Sequence, residues 1–130
     1  MRVYVTAQFK NWENKQEIDE LCALVAGAWF EDFCFVRDIQ EEFADANYMM
    51  KLAQKEIKRS DALLLDVTQK STGRMLEAGM AYALGKKVIL IAKAWTPIKD
   101  TLEGIADEII YYELIQDIAM PLNVIYKKRI

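Results

Sequence analysis

Two short runs of almost unbroken aliphatic residues constrain the fold most: Ala62-Leu63-Leu64-Leu65-Asp66-Val67 and Val88-Ile89-Leu90-Ile91-Ala92. Neither alternates polar with apolar, and both are too short for a buried helix. Each therefore reads as a strand covered on both faces. Strands of that kind pair in parallel, and a parallel pair needs a crossover element between its members. The intervening chain provides one, a helix over Arg74–Leu84 closed by Gly85 at the position after the cap. The alternation extends both ways from this unit. Arg2–Ala7, with Val3, Tyr4 and Val5, reads as a first strand. A helix follows from Glu13 or Asn14 to about Trp29, with Ile18, Leu21, Cys22, Val25 and Ala26 at helical spacing. Phe33–Val36 is the second strand and Ala46–Arg59 the next helix, with a broad face of Met49, Met50, Leu52, Ala53 and Ile57. Beyond Ala92, Trp95-Thr96-Pro97 breaks the pattern, and a short helix is expected near Thr101–Ile105. A fifth strand over Ile109–Tyr112 precedes a final helical or irregular segment reaching Ile130.

Strands and helices in strict alternation imply a three-layer α/β sandwich of the flavodoxin-like or Rossmann-like kind, with a five-stranded, mostly parallel sheet. The 130 residues fit one domain over residues 1–130, with no linker or internal repeat. A domain of this size buries about two thirds of its unfolded surface, so it needs no disulfide or metal staple. A hydrophobic fraction of 53% points to a well-filled core or to apolar surface covered in an oligomer. Ligands of such sheets bind at the carboxyl ends of the strands, where strand order reverses. The loops expected to carry function are Gln8–Trp12, Asp38–Glu42, Thr68–Gly73 and Lys93–Thr96.

Composition then removes whole classes of chemistry. The chain has no histidine, so a Ser-His-Asp triad, a Cys-His dyad and an HExxH zinc site cannot be built from it. Its two cysteines, Cys22 and Cys34, have no metal-binding or CxxC spacing and read as a reduced, buried pair. A net charge of -3 argues against nucleic acid as the partner. Lys127, Lys128 and Arg129 read as a solvated tail. Met1-Arg2 runs directly into a strand pattern, so no secretory leader is expected, and no apolar run reaches the ~18 residues of a membrane span. The expected location is the cytoplasm. No cofactor and no metal are expected.

The segment from Asp66 to Gly85 is the most informative. From Met75 to Gly85, Glu77 alone is charged, so the helix reads as buried nearly all round, with Glu77 in its first turn. A carboxylate among apolar neighbours is costly, and its pKa should rise. Perturbed carboxylates at strand ends are candidate functional groups. The alternative is an Arg74–Glu77 surface pair or a helix-dipole role; a capping box is excluded because Arg74 stands three residues before Glu77. Ser71, Thr72 and Gly73 form either an anion site at the helix N-terminus or an ordinary cap. Asp66 belongs either to the cleft or to loop capping, whereas Asp38 and Trp95 read as structural.

Together, Ser60-Asp61-Ala62, Asp66-Val67-Thr68-Gln69, Ser71, Gly73, Glu77, Gly79, Ala81, Lys87 and Ile89 resemble the nucleoside 2-deoxyribosyltransferase superfamily. The portion from Val67 to Gly79 is most similar to its 2′-deoxynucleoside 5′-phosphate N-glycosidase branch. The resemblance implies cleavage or transfer at the N-glycosidic bond of (2′-deoxy)nucleosides or their 5′-monophosphates. It implies Glu77 as the nucleophile at C1′, Tyr4 beside it, and Ser71 holding a 5′-phosphate. A nucleoside or nucleotide is then the small-molecule partner, and a homodimer or larger homo-oligomer is expected. Gln8 and Phe9 on the first loop, with Thr72, Gly73 and Asp66, complete the expected substrate site; Lys10 is placed for a phosphate, and Phe9 or Trp12 serves either to stack on a base or in the core or an interface.

Two features depart from the family. The aspartate usual on the helix before the third strand is replaced by Ala53, with Gln54 and Glu56 as nearby substitutes, and the first loop lacks the glycines of the phosphate-binding branch. Ala53 keeps a second reading open, a nucleotide-binding module without turnover. A flavin carrier or a phospho-receiver fits less well. The first loop has neither a Ser/Thr-rich phosphate cradle nor the acidic pair that holds magnesium.

Overall fold

A computed structural model describes residues 1–8, 10, 13–39, 45–69 and 71–128. Its sheet has five strands: β1 (Arg2–Val5), β2 (Glu31–Cys34), β3 (Ala62–Asp66), β4 (Lys87–Lys93) and β5 (Glu108–Tyr112). Their order is β2-β1-β3-β4-β5 and every neighbouring pair is parallel. This is the flavodoxin-like α/β arrangement, whose strand order reverses between β1 and β3. The helices are α1 (Lys15–Gly27), α2 (Phe35–Asp38), α3 (Ala46–Lys58), α4 (Thr72–Ala83), α5 (Asp100–Ile105) and α6 (Ala119–Lys128), the last entered through a 3-10 turn at Ile115–Ile118.

Alternation along each strand sends successive side chains to opposite faces and divides the core in two. Val3, Val5, Leu64, Ile89 and Ile91 pack against Ile18, Leu21, Cys22 and Val25 of α1 and against Leu122 and Ile125 of α6. Tyr4, Leu63, Leu65, Val88 and Leu90 pack against Ile57 of α3 and Ala78 and Ala81 of α4. Leu63, Leu64, Leu65, Ile89, Leu90 and Ile91 are fully buried, as the aliphatic runs require. Truncating one of these leucines to alanine costs about 2–5 kcal/mol. Gly85, with φ 71°, closes α4: the Lys86 N–H donates to the Ala81 carbonyl and the Gly85 N–H to that of Tyr82. Cys22 and Cys34 are both free and buried. Among the described residues, no helix is long and apolar enough to cross a membrane.

Three expectations are corrected. The second strand ends at Cys34, before Phe35 and Val36, because the Asp38 carboxylate accepts the Cys34 N–H at 2.9 Å and closes a helical turn. Arg37 clamps that turn to Asp32 and Asp38. The fourth helix starts two residues early, at Thr72, so Glu77 sits in its second turn. That helix is also not buried all round. Arg74, Ala78 and Ala81 are buried, whereas Leu76 and Tyr82 are exposed, because the sheet covers only one face.

Candidate active site

The chain leaves β3 at Asp66 and turns sharply into α4. Asp66 Oδ1 accepts the Thr68 N–H at 2.9 Å, and its Oδ2 accepts the Tyr112 hydroxyl. Burial and the Asp66 bond push the Tyr112 phenol up to about 12, so it remains a donor. Asp66 thus serves loop capping, and it also lines a cavity.

Arg74, 9% exposed, holds the rest of the turn. Its guanidinium donates to Ser71 Oγ at 2.9 Å, to the Asp66 carbonyl at 3.1 Å and to the Gln69 carbonyl. Ser71 occupies the N-cap position in extended backbone but makes no cap bond through its side chain. Its oxygen accepts from the Arg74 Nε–H. Thr72 and Gly73 are exposed at the first turn, and a Cβ added at Gly73 meets nothing within 4 Å.

Glu77 projects from the next turn toward β1, where the Tyr4 hydroxyl donates to its Oε2. Tyr4 is fully buried against Phe33, its ring centroid 5.6 Å away. Burial, then the neighbouring carboxylate, raise the Tyr4 phenol far above its ordinary value, so it acts only as a donor. Burial lifts Glu77 from its usual 4.5 to about 7, against the opposing pull of the Tyr4 bond and of the Arg74 charge. The helix dipole does little here, because its effect fades beyond the first turn. No ion pair joins Arg74 to Glu77 among the described residues. The surface-pair alternative is thereby removed: Arg74 is buried and bonds its own turn through Nε and both terminal nitrogens.

The expected site residues fall into two groups. Tyr4 and Glu77 touch, with Ser71, Thr72 and Gly73 one turn earlier on the same helix. Gln8 and Asp66 instead line a cavity of about 480 Å³ whose walls include neither Tyr4 nor Glu77. Phe9, like Trp12, lies outside the described residues. Ala53 is buried and Gln54 exposed, while Glu56 is bound by Arg2 at 2.7 Å and Arg59 at 3.0 Å. Arg2 opens β1 at the amino edge of the sheet, so Glu56 is committed away from the loops. Sequence reasoning missed Arg74 as the organiser of the turn, although a lone arginine in an apolar helix was a visible signal. It missed Tyr112 as well, and nothing local marks that residue except its place at a strand end.

No family model and no curated relative matches the chain. Solved structures do match. A CMP N-glycosidase of Clostridium botulinum superposes with a TM-score of 0.72 at 21% identity, covering 96% of this chain and 99% of that one. A 2-deoxyribosyltransferase of Bacillus psychrosaccharolyticus gives 0.71 at 19%, covering 92% and 90%. A 2-deoxyribosyltransferase of Leishmania mexicana gives 0.59 at 19%, covering 78% and 75%. The fold is that of the nucleoside 2-deoxyribosyltransferase-like proteins. One architecture hosts many activities, so the chemistry rests on the residues of the site. In this chain those are a protonatable carboxylate, a phenol that cannot ionise and an open helix N-terminus.

Proposed function

We propose that this protein cleaves or transfers at the N-glycosidic bond of (2′-deoxy)nucleosides or their 5′-monophosphates, with Glu77 as the nucleophile. The observation that carries the reading is the Tyr4–Glu77 pair. It is a carboxylate shifted to about 7 by burial, held by one phenol and free of any ion pair among the described residues. The ionised form attacks C1′; the C1′–N bond breaks and its electron pair leaves with the base. The Tyr4 hydroxyl fixes the carboxylate's orientation. Water, or a second base, then displaces the sugar from Glu77. Ala53 brings no acid, so the departing base takes its proton from solvent, and bases that form stable anions leave fastest. The first-turn N–H groups of α4 and the Ser71 hydroxyl suit a 5′-phosphate. The exposed Leu76 and Tyr82 on α4 support a homodimer or larger assembly, which light scattering at micromolar concentration tests.

The deciding experiment incubates wild type and Glu77→Ala with 2′-deoxynucleosides and their 5′-monophosphates, with and without a free acceptor base, and reads products by chromatography. Free base, or a new nucleoside, from wild type alone supports the reading. Ala53 favours one second reading, a nucleotide-binding module without turnover. Binding of a monophosphate to folded wild type with no product from any substrate would select it.

A further inference from the structure

Arg74 and Glu77 are the two charged residues between Thr72 and Leu84, and they stand three residues apart on one helix. The Arg74 guanidinium spans the junction of β3 and α4. Its Nη1 donates to the Asp66 carbonyl at 3.1 Å, its Nη2 to the Gln69 carbonyl and its Nε to Ser71 Oγ at 2.9 Å. One side chain thereby ties the last residue of β3, the loop and the cap position of α4 together. Glu77 rides on that helix, and its contact with Tyr4 of β1 depends on where α4 stands against the sheet.

All three acceptors are neutral, and Arg74 forms no ion pair among the described residues. A buried charge without a counter-ion is costly, and a neutral donor such as glutamine could bond the same turn without that cost. The charge therefore needs a reason beyond the turn. Burial lowers the Arg74 value, while the charges of Asp66 and Glu77 pull it back up. The attraction is mutual: burial raises Glu77, and the Tyr4 bond and the Arg74 charge oppose that rise. Other titratable groups nearby give Glu77 no cation. Tyr4 on β1 is a neutral donor; Cys34 on β2 and Glu56 on α3 bear on Tyr4 behind it, and Glu56 is already matched by Arg2 and Arg59.

We infer that Arg74 is a positioning residue for Glu77: its guanidinium fixes the start of α4 against the end of β3 so that the carboxylate meets the Tyr4 hydroxyl, and it sets a positive charge about one helical turn from that carboxylate. The charge favours the ionised, attacking form of Glu77. Arg74 acts through the helix and through its field, because it makes no bond to Glu77 among the described residues. The inference rests on the reading of Glu77 as the nucleophile, but the state of the carboxylate is measured without any substrate.

The test follows the Glu77 carboxyl carbon by NMR pH titration of the whole chain, in wild type and in three variants. Arg74→Met removes both the fork and the charge, Arg74→Gln keeps neutral donors, and Arg74→Lys keeps a charge. Wild-type Glu77 should titrate near 7. Its midpoint should move up by about one pH unit in Arg74→Met and Arg74→Gln, and stay close to wild type in Arg74→Lys. If Arg74→Met does not fold, the other two variants decide the same question. Kinetics on the nucleoside or monophosphate that wild type turns over give a second readout. The acid limb of kcat/KM should follow the titration, and kcat of Arg74→Met at pH 7 should fall about tenfold while KM changes by less than about threefold. A purely structural role would lower the unfolding midpoint of the variants and leave the Glu77 titration of the folded protein in place. A Glu77 midpoint unmoved in the neutral variants would overturn the inference. So would a midpoint displaced as far in Arg74→Lys as in Arg74→Gln. Product from wild type with an unmoved midpoint would sink this inference alone; a moved midpoint in a protein that makes no product would spare it and sink the glycosyl reading.

Discussion

Two carboxylates are taken from water in this molecule, and they are treated in opposite ways. Glu56, 5% exposed on α3 near the amino edge of the sheet, is bracketed by Arg2 at 2.7 Å and Arg59 at 3.0 Å. Glu77, on α4 near the carboxyl edge, has a phenol for a partner and is pushed up to about 7. A buried carboxylate matched by guanidinium groups is neutralised and fixed in place. One matched only by a neutral donor keeps a proton equilibrium near neutrality, which general acid, base or nucleophilic chemistry can use. On the function proposed above, Glu56 belongs to the architecture and Glu77 to the chemistry, though both are glutamates on helices flanking one face of one sheet.

The largest effect that would break this contrast lies in turnover. Glu77→Ala should reduce product formation by about 10³-fold or more while the protein stays folded, whereas Glu56→Gln should leave the rate of the folded protein within a few fold. Chromatographic assays of both variants decide it; comparable losses in the two would erase the distinction.

Next in size is stability. Glu56→Gln leaves the partly buried Arg2 without its counter-charge and should cost about 3 kcal/mol in urea unfolding, at the low end for a buried pair because Arg2 keeps some exposure and Arg59 is largely exposed. Glu77→Gln should act in the other direction, and only at higher pH. Folded Glu77 holds its proton up to about pH 7, whereas the unfolded chain releases it near 4.5. Between those values the folded state binds more protons, so wild-type stability falls as pH rises through that window, by up to about 3 kcal/mol. Glu77→Gln removes the slope: it should be more stable than wild type at pH 8 and equal to it at pH 4. Parallel denaturation curves at the two pH values check the sign.

The pH profile of the reaction sharpens the same point. If ionised Glu77 is the nucleophile, kcat/KM should rise about tenfold per pH unit below pH 7 and level off above it. The smallest effect expected is that of Tyr4→Phe. It removes a bond that favours the ionised form, so the acid limb should move to higher pH, with a loss of about tenfold at pH 7. A limb that stays in place would mean that the phenol does not control the carboxylate.

The fold was legible because its signals are local. Leu63, Leu64 and Leu65 cannot alternate, so their strand must be covered on both sides, and the crossovers follow from that. The end of the second strand was not legible. Phe33–Val36 reads as one run, and the Asp38 carboxylate that ends the strand at Cys34 acts from four residues ahead. The start of α4 was displaced for a related reason. Ser71 sits at the cap position, one of the places the sequence offered for a cap, but its side chain meets Arg74 and makes no cap bond to the helix. At the site, Glu77 stood out as a lone charge in an apolar stretch. Its partner Tyr4 came from a family resemblance, since no spacing rule connects the first strand to the fourth helix. Gln8 and Asp66 were grouped with Glu77 because their loops share the carboxyl end of the sheet, yet they line a separate cavity.

Periodicity and the two aliphatic runs were enough to determine a parallel α/β sheet with helices on both faces, and the absence of histidine was enough to exclude imidazole chemistry. These depend on residue type and short spacing, which a linear chain carries directly. Only the tertiary structure decided that Arg74 bonds back onto its own turn and that Gln8 and Asp66 line a cavity whose described walls include neither Tyr4 nor Glu77. Each of these depends on which groups, distant in the chain, are brought within bonding distance and removed from water. Burial and partnership are properties of the packed whole, and they set the proton affinity of Glu77.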